Sequence, residues 1–131
     1  STRGMSESCT FEDAVLTGLA PDGGLYVPEE LPDFSVDTIS SWSELSYEDL
    51  AVNIMYPFVE TEISRKSLKE ILKKSYAGFR NSEIAPMLEF KNNNWILELF
   101  HGPTLAFKDF ALQFLGNLLD HMVESRKEKL F

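Results

Sequence analysis

Lys108 stands between Phe107 and Phe110, just after the pair Gly102-Pro103 and at the head of a long apolar stretch. A lysine in such surroundings is costly as an ammonium, because removal from water disfavours the charged form. Desolvation favours the neutral amine, which attacks a carbonyl carbon to form a Schiff base. If a helix begins here, the positive end of its dipole also disfavours the ammonium and attracts phosphate or carboxylate groups. Thr104 adds a hydroxyl to the same loop, and Asp109 is a residue the dipole favours at a helix start. A blander reading stands beside this one: Lys108 and Asp109 form a solvated first turn, with the lysine stem lying along its neighbours and its head in water. His101, before Gly102-Pro103, is either an acid/base or a structural hydrogen bonder. Arg3 in Ser1-Thr2-Arg3-Gly4 is either an anion ligand or part of a frayed terminus.

The elements that must position these groups follow from caps and apolar spacing. Thr10 and Gly18 bracket a short helix over residues 10–18. Pro21-Asp22-Gly23-Gly24 is a tight turn, and Leu25 to Val27 reads as a short extended segment. Residues 28–43 are rich in Pro and Ser and read as surface loop with one helical turn. Ser46 caps a helix over 47–59, with Leu50, Ile54 and Phe58 on one side. Ser64 caps another that runs to Tyr76 or Ala77, with Leu68, Ile71, Leu72 and Tyr76 facing the core. Residues 87–90 and 95–100 are strand-like around Asn92-Asn93-Asn94, which predicts a β-hairpin. The loop 101–104 then leads into a helix from Ala106 to Glu124. That helix is apolar over much more than one stripe, the mark of an element covered on several sides. The preceding elements are too few to cover it. The sequence therefore reads as the beginning of a larger domain, cut short at Phe131 and lacking an initiator Met before Ser1.

Composition narrows the function classes. The 131 residues are 44% hydrophobic and 25% charged, as in a soluble globular domain, with a formal net charge of -9. Such acidity argues against nucleic acid and against an anionic membrane surface as partners. One cysteine, Cys9, allows no internal disulfide and suits a reducing compartment. Only His101 and His121 are available as histidine ligands, with no spaced partner, so no metal site is expected. No apolar run is long enough to span a bilayer, and no signal peptide is visible, so a cytoplasmic location is expected.

The string Glu98-Leu99-Phe100-His101-Gly102-Pro103-Thr104-Leu105-Ala106-Phe107-Lys108-Asp109-Phe110 resembles the cofactor-lysine signature of threonine synthases. Phe-Lys-Asp alone is weak, but the whole string is highly specific. Ser1-Thr2-Arg3-Gly4 and the segment Gly18-Leu19-Ala20-Pro21-Asp22-Gly23-Gly24-Leu25-Tyr26-Val27-Pro28 match in the expected order, so the resemblance covers essentially the whole chain.

The resemblance implies an α/β enzyme. Residues 1–85 would be a small helical N-terminal domain, and 86–131 the hairpin and first helix of an incomplete fold-type II pyridoxal-phosphate domain. It implies pyridoxal 5'-phosphate held covalently by Lys108, with Thr104 and Asp109 in the cofactor region, and Lys108 moving protons once substrate displaces it. The reaction would be O-phospho-L-homoserine and water giving L-threonine and phosphate. The phosphate-gripping loop and the residue facing the pyridine nitrogen are not found in these residues, so the chain alone is expected to be inactive. Two alternatives remain open: a threonine-synthase-like protein acting on another phosphorylated amino acid, and a non-catalytic interaction fragment.

Overall fold

The computed structural model describes residues 1–126; the last five residues of the expected second unit lie outside them. The first four helices all open on a hydroxyl. Side chains of Thr10, Ser35, Ser46 and Ser64 accept from the backbone N–H of Asp13, Thr38, Asp49 and Ser67. Each bond satisfies a donor that a helix start leaves without a partner. The helices are α1 (Phe11–Thr17), α2 (Val36–Ser41), α3 (Tyr47–Met55) and α4 (Arg65–Tyr76). α1 stops at Gly18, whose φ of 78° is one that glycine adopts without strain. α3 ends at Met55, four residues before the expected 59. Pro57 has no N–H to give the Asn53 carbonyl, so the chain tightens into a 3-10 turn over Tyr56–Phe58.

The centre of the core is α4. Its Leu68 and Leu72 are fully buried, among Val52, Val59, Ile63, Ile84, Leu118 and Met122. Each such leucine stabilises the fold by roughly 1.5–3 kcal/mol relative to an exposed one. Leu118 and Met122 belong to α5 (Asp109–Arg126), which packs against α4. Only one row of α5 enters the core: Phe110, Phe114, Leu118 and Met122, spaced by four. Leu112 and Leu115 on another row remain exposed, so the helix is covered on one side among the described residues. Arg126 ties the far end of α5 to α1, with Nε 2.5 Å from Glu12 Oε1 and Nη2 3.0 Å from Asp13 Oδ1.

An aromatic cluster locks the near end of α5. Phe110 lies 5.0 Å from Phe79 and 6.3 Å from both Tyr47 and Tyr76, measured between ring centroids. The Tyr76 hydroxyl donates to the Phe110 carbonyl at 3.2 Å, which fixes the first turn of α5 against α4. Burial raises the pKa of both Tyr76 and Tyr47 above the ordinary phenol value.

The hairpin pairs β1 (Met87–Lys91) with β2 (Asn94–Leu97) in antiparallel register, Met87 opposite Leu97 and Lys91 opposite Asn94. Asn92 and Asn93 have φ of 50° and 62°, the positive values a two-residue hairpin turn requires. β2 is shorter than the predicted 95–100. Its last ladder bond runs from Glu98 N to the Pro86 carbonyl at 3.0 Å, and Pro86 has no N–H to extend the pairing. Every residue of both strands is exposed. The segment expected to be extended at 25–27 is reduced to one bridge, Leu19 with Leu25.

Candidate active site

The loop before α5 is turned rather than helical, and α5 begins at Asp109, three residues later than the apolar pattern predicts. Leu105 N donates to the Gly102 carbonyl at 3.2 Å, closing a turn with Pro103 at its second position. Leu105 then takes a left-handed φ of 64°, which a continuing helix cannot accommodate. Two tight turns follow, Asp109 N to Ala106 O at 3.0 Å and Phe110 N to Phe107 O at 3.3 Å. Lys108 is thereby the residue immediately before the helix. Its carbonyl accepts from Ala111 N at 3.2 Å and Leu112 N at 2.9 Å.

The Lys108 side chain is exposed, not wrapped in apolar groups as its neighbours' types suggest. Helix periodicity gives the reason. Lys108, Leu112 and Leu115 share a face, four and three residues apart, while the row beginning at Phe110 points into the core. Near the lysine in sequence, Leu105 is 52% and Phe107 65% exposed, so open apolar side chains precede it on this loop.

Asp109 has the opposite environment. It is 3% exposed, and both of its oxygens receive hydrogen bonds from Thr104: Oδ2 from the backbone N and Oδ1 from Oγ1, each at 2.8 Å. Gly102 passes directly against it. A Cβ at that position would run into Asp109 Cβ and Oδ2. A carboxylate in the first turn also makes this helix start unattractive to a further anion, contrary to the phosphate-binding reading. Thr104 and Asp109 are therefore brought together, but toward each other.

His101 is held by one ring nitrogen, its carbonyl and its ring face. Its Nε2 lies 2.6 Å from Glu98 Oε2, its carbonyl accepts from Arg80 N at 2.8 Å, and its ring lies 4.7 Å from that of Phe100. These contacts fit a structural hydrogen bonder. Glu98 and Gly102 were missed as structural partners. The spacing of three between Glu98 and His101 was the available signal for the first. Among the described residues, no group of three His, Cys, Asp or Glu side chains is placed to hold a metal ion.

The expected frayed terminus is instead tied down. Thr2 N donates to the Leu25 carbonyl at 2.8 Å, and Leu25 N returns to Thr2 Oγ1 at 2.9 Å. Asp22 accepts from Ser1 Oγ at 2.5 Å, Gly24 N at 2.8 Å and Met5 N at 3.1 Å. These donors, Ser1 foremost, hold its carboxyl well below the usual range, at about 2. Arg3 Nη1 donates to the Asp22 carbonyl at 3.2 Å, so the guanidinium braces the loop 20–25. Ser1 also borders a cavity of about 740 Å³ whose walls include Cys9, Phe11, Tyr26, Glu29, Pro57 and Phe114; Lys108, Thr104 and Asp109 do not line it.

Comparison with known proteins places this arrangement. Residues 1–76 match the family model described as threonine synthase N terminus. The chain is 52% identical over 130 residues to threonine synthase of Pseudomonas aeruginosa, covering 99% of this chain and 28% of that protein. It is 44% identical over 137 residues to threonine synthase of Saccharomyces cerevisiae, covering 99% of this chain and 27% of that one. Among solved structures, a threonine synthase from Brucella melitensis with pyridoxal phosphate bound superposes with a TM-score of 0.94 at 40% identity. The match covers 98% of this chain and 28% of that one. Threonine synthase from Escherichia coli superposes with a TM-score of 0.77 at 36% identity, over 88% of this chain and 26% of that one. The chain thus spans little more than a quarter of the length of the relatives it matches. With more than half of its residues inside the matched family model, the chain belongs to the threonine synthase family, whose N-terminal region it matches.

Proposed function

We propose that this chain is the part of a pyridoxal-5'-phosphate-dependent threonine synthase that carries the cofactor lysine, Lys108. In this reading the whole enzyme converts O-phospho-L-homoserine and water into L-threonine and phosphate. The observation that carries it is the presentation of Lys108: an exposed amine on a hydrogen-bonded loop-to-helix junction, with open apolar side chains preceding it on the loop. Those residues fit the cofactor chemically. An aldehyde needs an accessible amine, and an aromatic ring needs apolar company, here Leu105 and Phe107. When bound, the pyridine ring supplies an electron sink that stabilises carbanions. Lys108 would hold it covalently through Nζ and, once displaced by the substrate amine, move protons at the neighbouring substrate carbons. Thr104 and Asp109 belong to the cofactor region through the loop they close under the lysine. Phe107, Leu105 and Leu112 would exclude water from the reacting atoms once covered.

The same reading divides the chain into a helical unit, 1–85, and the opening of the cofactor domain from residue 86, with the Phe110 row of α5 as the contact between them. It puts the protein in the cytoplasm, in keeping with the free, exposed thiol of Cys9. No helix among the described residues is long and apolar enough to cross a membrane. Turnover is expected from the whole enzyme and not from these 131 residues alone.

The test is phosphate release from O-phospho-L-homoserine by the whole enzyme, with borohydride trapping read by peptide mass. Lys108→Ala is expected to abolish both release and the trapped adduct. Release that survives Lys108→Ala, or trapping at a different lysine, refutes the assignment. A second reading has its own support: the chain is 40% identical to a protein named threonine synthase-like 2 from Mus musculus. An adduct at Lys108 without phosphate release from O-phospho-L-homoserine would favour that reading, with another phosphorylated amino acid as substrate.

A further inference from the structure

We infer that Asp109 is a positioning residue for Lys108: its carboxylate clamps residues 102–105 onto the start of α5 and so fixes where the lysine projects. The inference rests on Lys108 being the cofactor lysine. An acid placed merely to complement the helix dipole needs only to stand in the first turn, and it does so from the surface. Asp109 instead turns back and is buried, gripping Thr104 at two points through both oxygens at 2.8 Å. A two-point, charge-assisted grip fixes orientation as well as distance. With both oxygens engaged and the side chain buried, Asp109 is not free to touch a cofactor.

Two further features depend on this grip. Gly102 gives the loop room to lie against the carboxylate, since any Cβ there would collide with it. Leu105 holds a left-handed φ of 64°, a conformation costly for leucine that persists only where the surroundings over-determine it. The neighbouring Thr104 is held by the carboxylate, and the following Ala106 accepts from Asp109 N at 3.0 Å. Lys108 comes next, with its carbonyl taken by Ala111 and Leu112. Its backbone is therefore fixed on both sides while its side chain stays exposed. The remaining freedom of the amine is that of its own stem.

The test uses the whole protein stripped of cofactor and reads amide hydrogen exchange at Thr104 and Leu105. Asp109→Ala removes both acceptor oxygens, whereas an asparagine could still turn its oxygen to the Thr104 N–H and its amide to the Thr104 hydroxyl. Exchange at Thr104 is expected to quicken roughly 10–100-fold, the weight of one lost charge-assisted bond. Capture of added pyridoxal phosphate by Lys108, followed by absorbance, is expected to slow by roughly 10–100-fold as the amine loses its orientation. Thr104→Val should reproduce part of both effects, and Thr104→Ser should restore wild-type behaviour. Those two variants carry the test if Asp109→Ala fails to fold. Unchanged exchange, or exchange that loosens while capture keeps its rate, overturns the inference. A wild-type Lys108 that captures no cofactor overturns the cofactor reading instead, which the exchange measurement does not depend on.

Discussion

Gly102→Ala adds one methyl group, and the structure says where it goes. The new Cβ would lie 2.7 Å from Asp109 Cγ, and would also run into Asp109 Cβ and Oδ2. Carbon atoms pack at about 3.5–4.0 Å, so loop or helix must give by about 1 Å. If the loop stays, overpacking costs about 1–3 kcal/mol. If it swings away, the two bonds to Thr104 are lost, each worth about 1.5–3 kcal/mol as a charge-assisted bond. The cheaper route sets the loss, about 2 kcal/mol, or roughly 30-fold in the folded-to-unfolded ratio. Gly116→Ala is the matched comparison. It lies within α5, and a Cβ there meets nothing within 4 Å. An added methyl in an exposed helix interior stabilises by about 0.5–1 kcal/mol. Urea unfolding followed by circular dichroism should move in opposite directions for the two variants. A Gly102→Ala protein as stable as wild type would refute the close approach of loop and carboxylate, and with it the clamp.

Two other outcomes follow from the fold. Leu72→Ala removes a fully buried side chain from the middle of α4 and should lower unfolding free energy by about 2–5 kcal/mol, measured by the same urea unfolding. Asp22 has its folded pKa depressed to about 2, so its contribution to the N-terminal tie is complete above the unfolded value, near 3.8, and is lost as pH falls through about 2. Carboxyl chemical shifts should titrate there, with the Met5 amide losing protection over the same interval; an ordinary midpoint would break the assignment of its three donors.

The parts of this fold legible in the sequence are those set by local chemistry. Thr10, Ser46 and Ser64 announce three helix starts because a hydroxyl before an apolar repeat has few better uses. The asparagine turn announces the hairpin for the same reason. The start of α5 was misplaced because its break is made by Leu105 in a left-handed conformation, and leucine gives no local sign of that. The exposure of Lys108 was hidden by its neighbours: Phe107 and Phe110 are both apolar, yet only Phe110 belongs to the packed row. Asp109 could be read as a helix-start acid but not as a clamp, because its partner Thr104 is chosen by the turn between them. The tie between residues 1–5 and 20–25 was invisible for the same kind of reason, since it joins segments about twenty residues apart.

The core completed by Leu118 and Met122 has a consequence for the order of synthesis. The apolar face of α4 is finished at Tyr76, yet the side chains that cover it arrive about 40 residues later. At the usual pace of translation, roughly 5–20 residues per second, that face waits about 2–8 s, some of it inside the ribosomal tunnel. The nascent helices α1 to α4 therefore begin as an unfinished bundle, whose apolar face is covered only when α5 emerges.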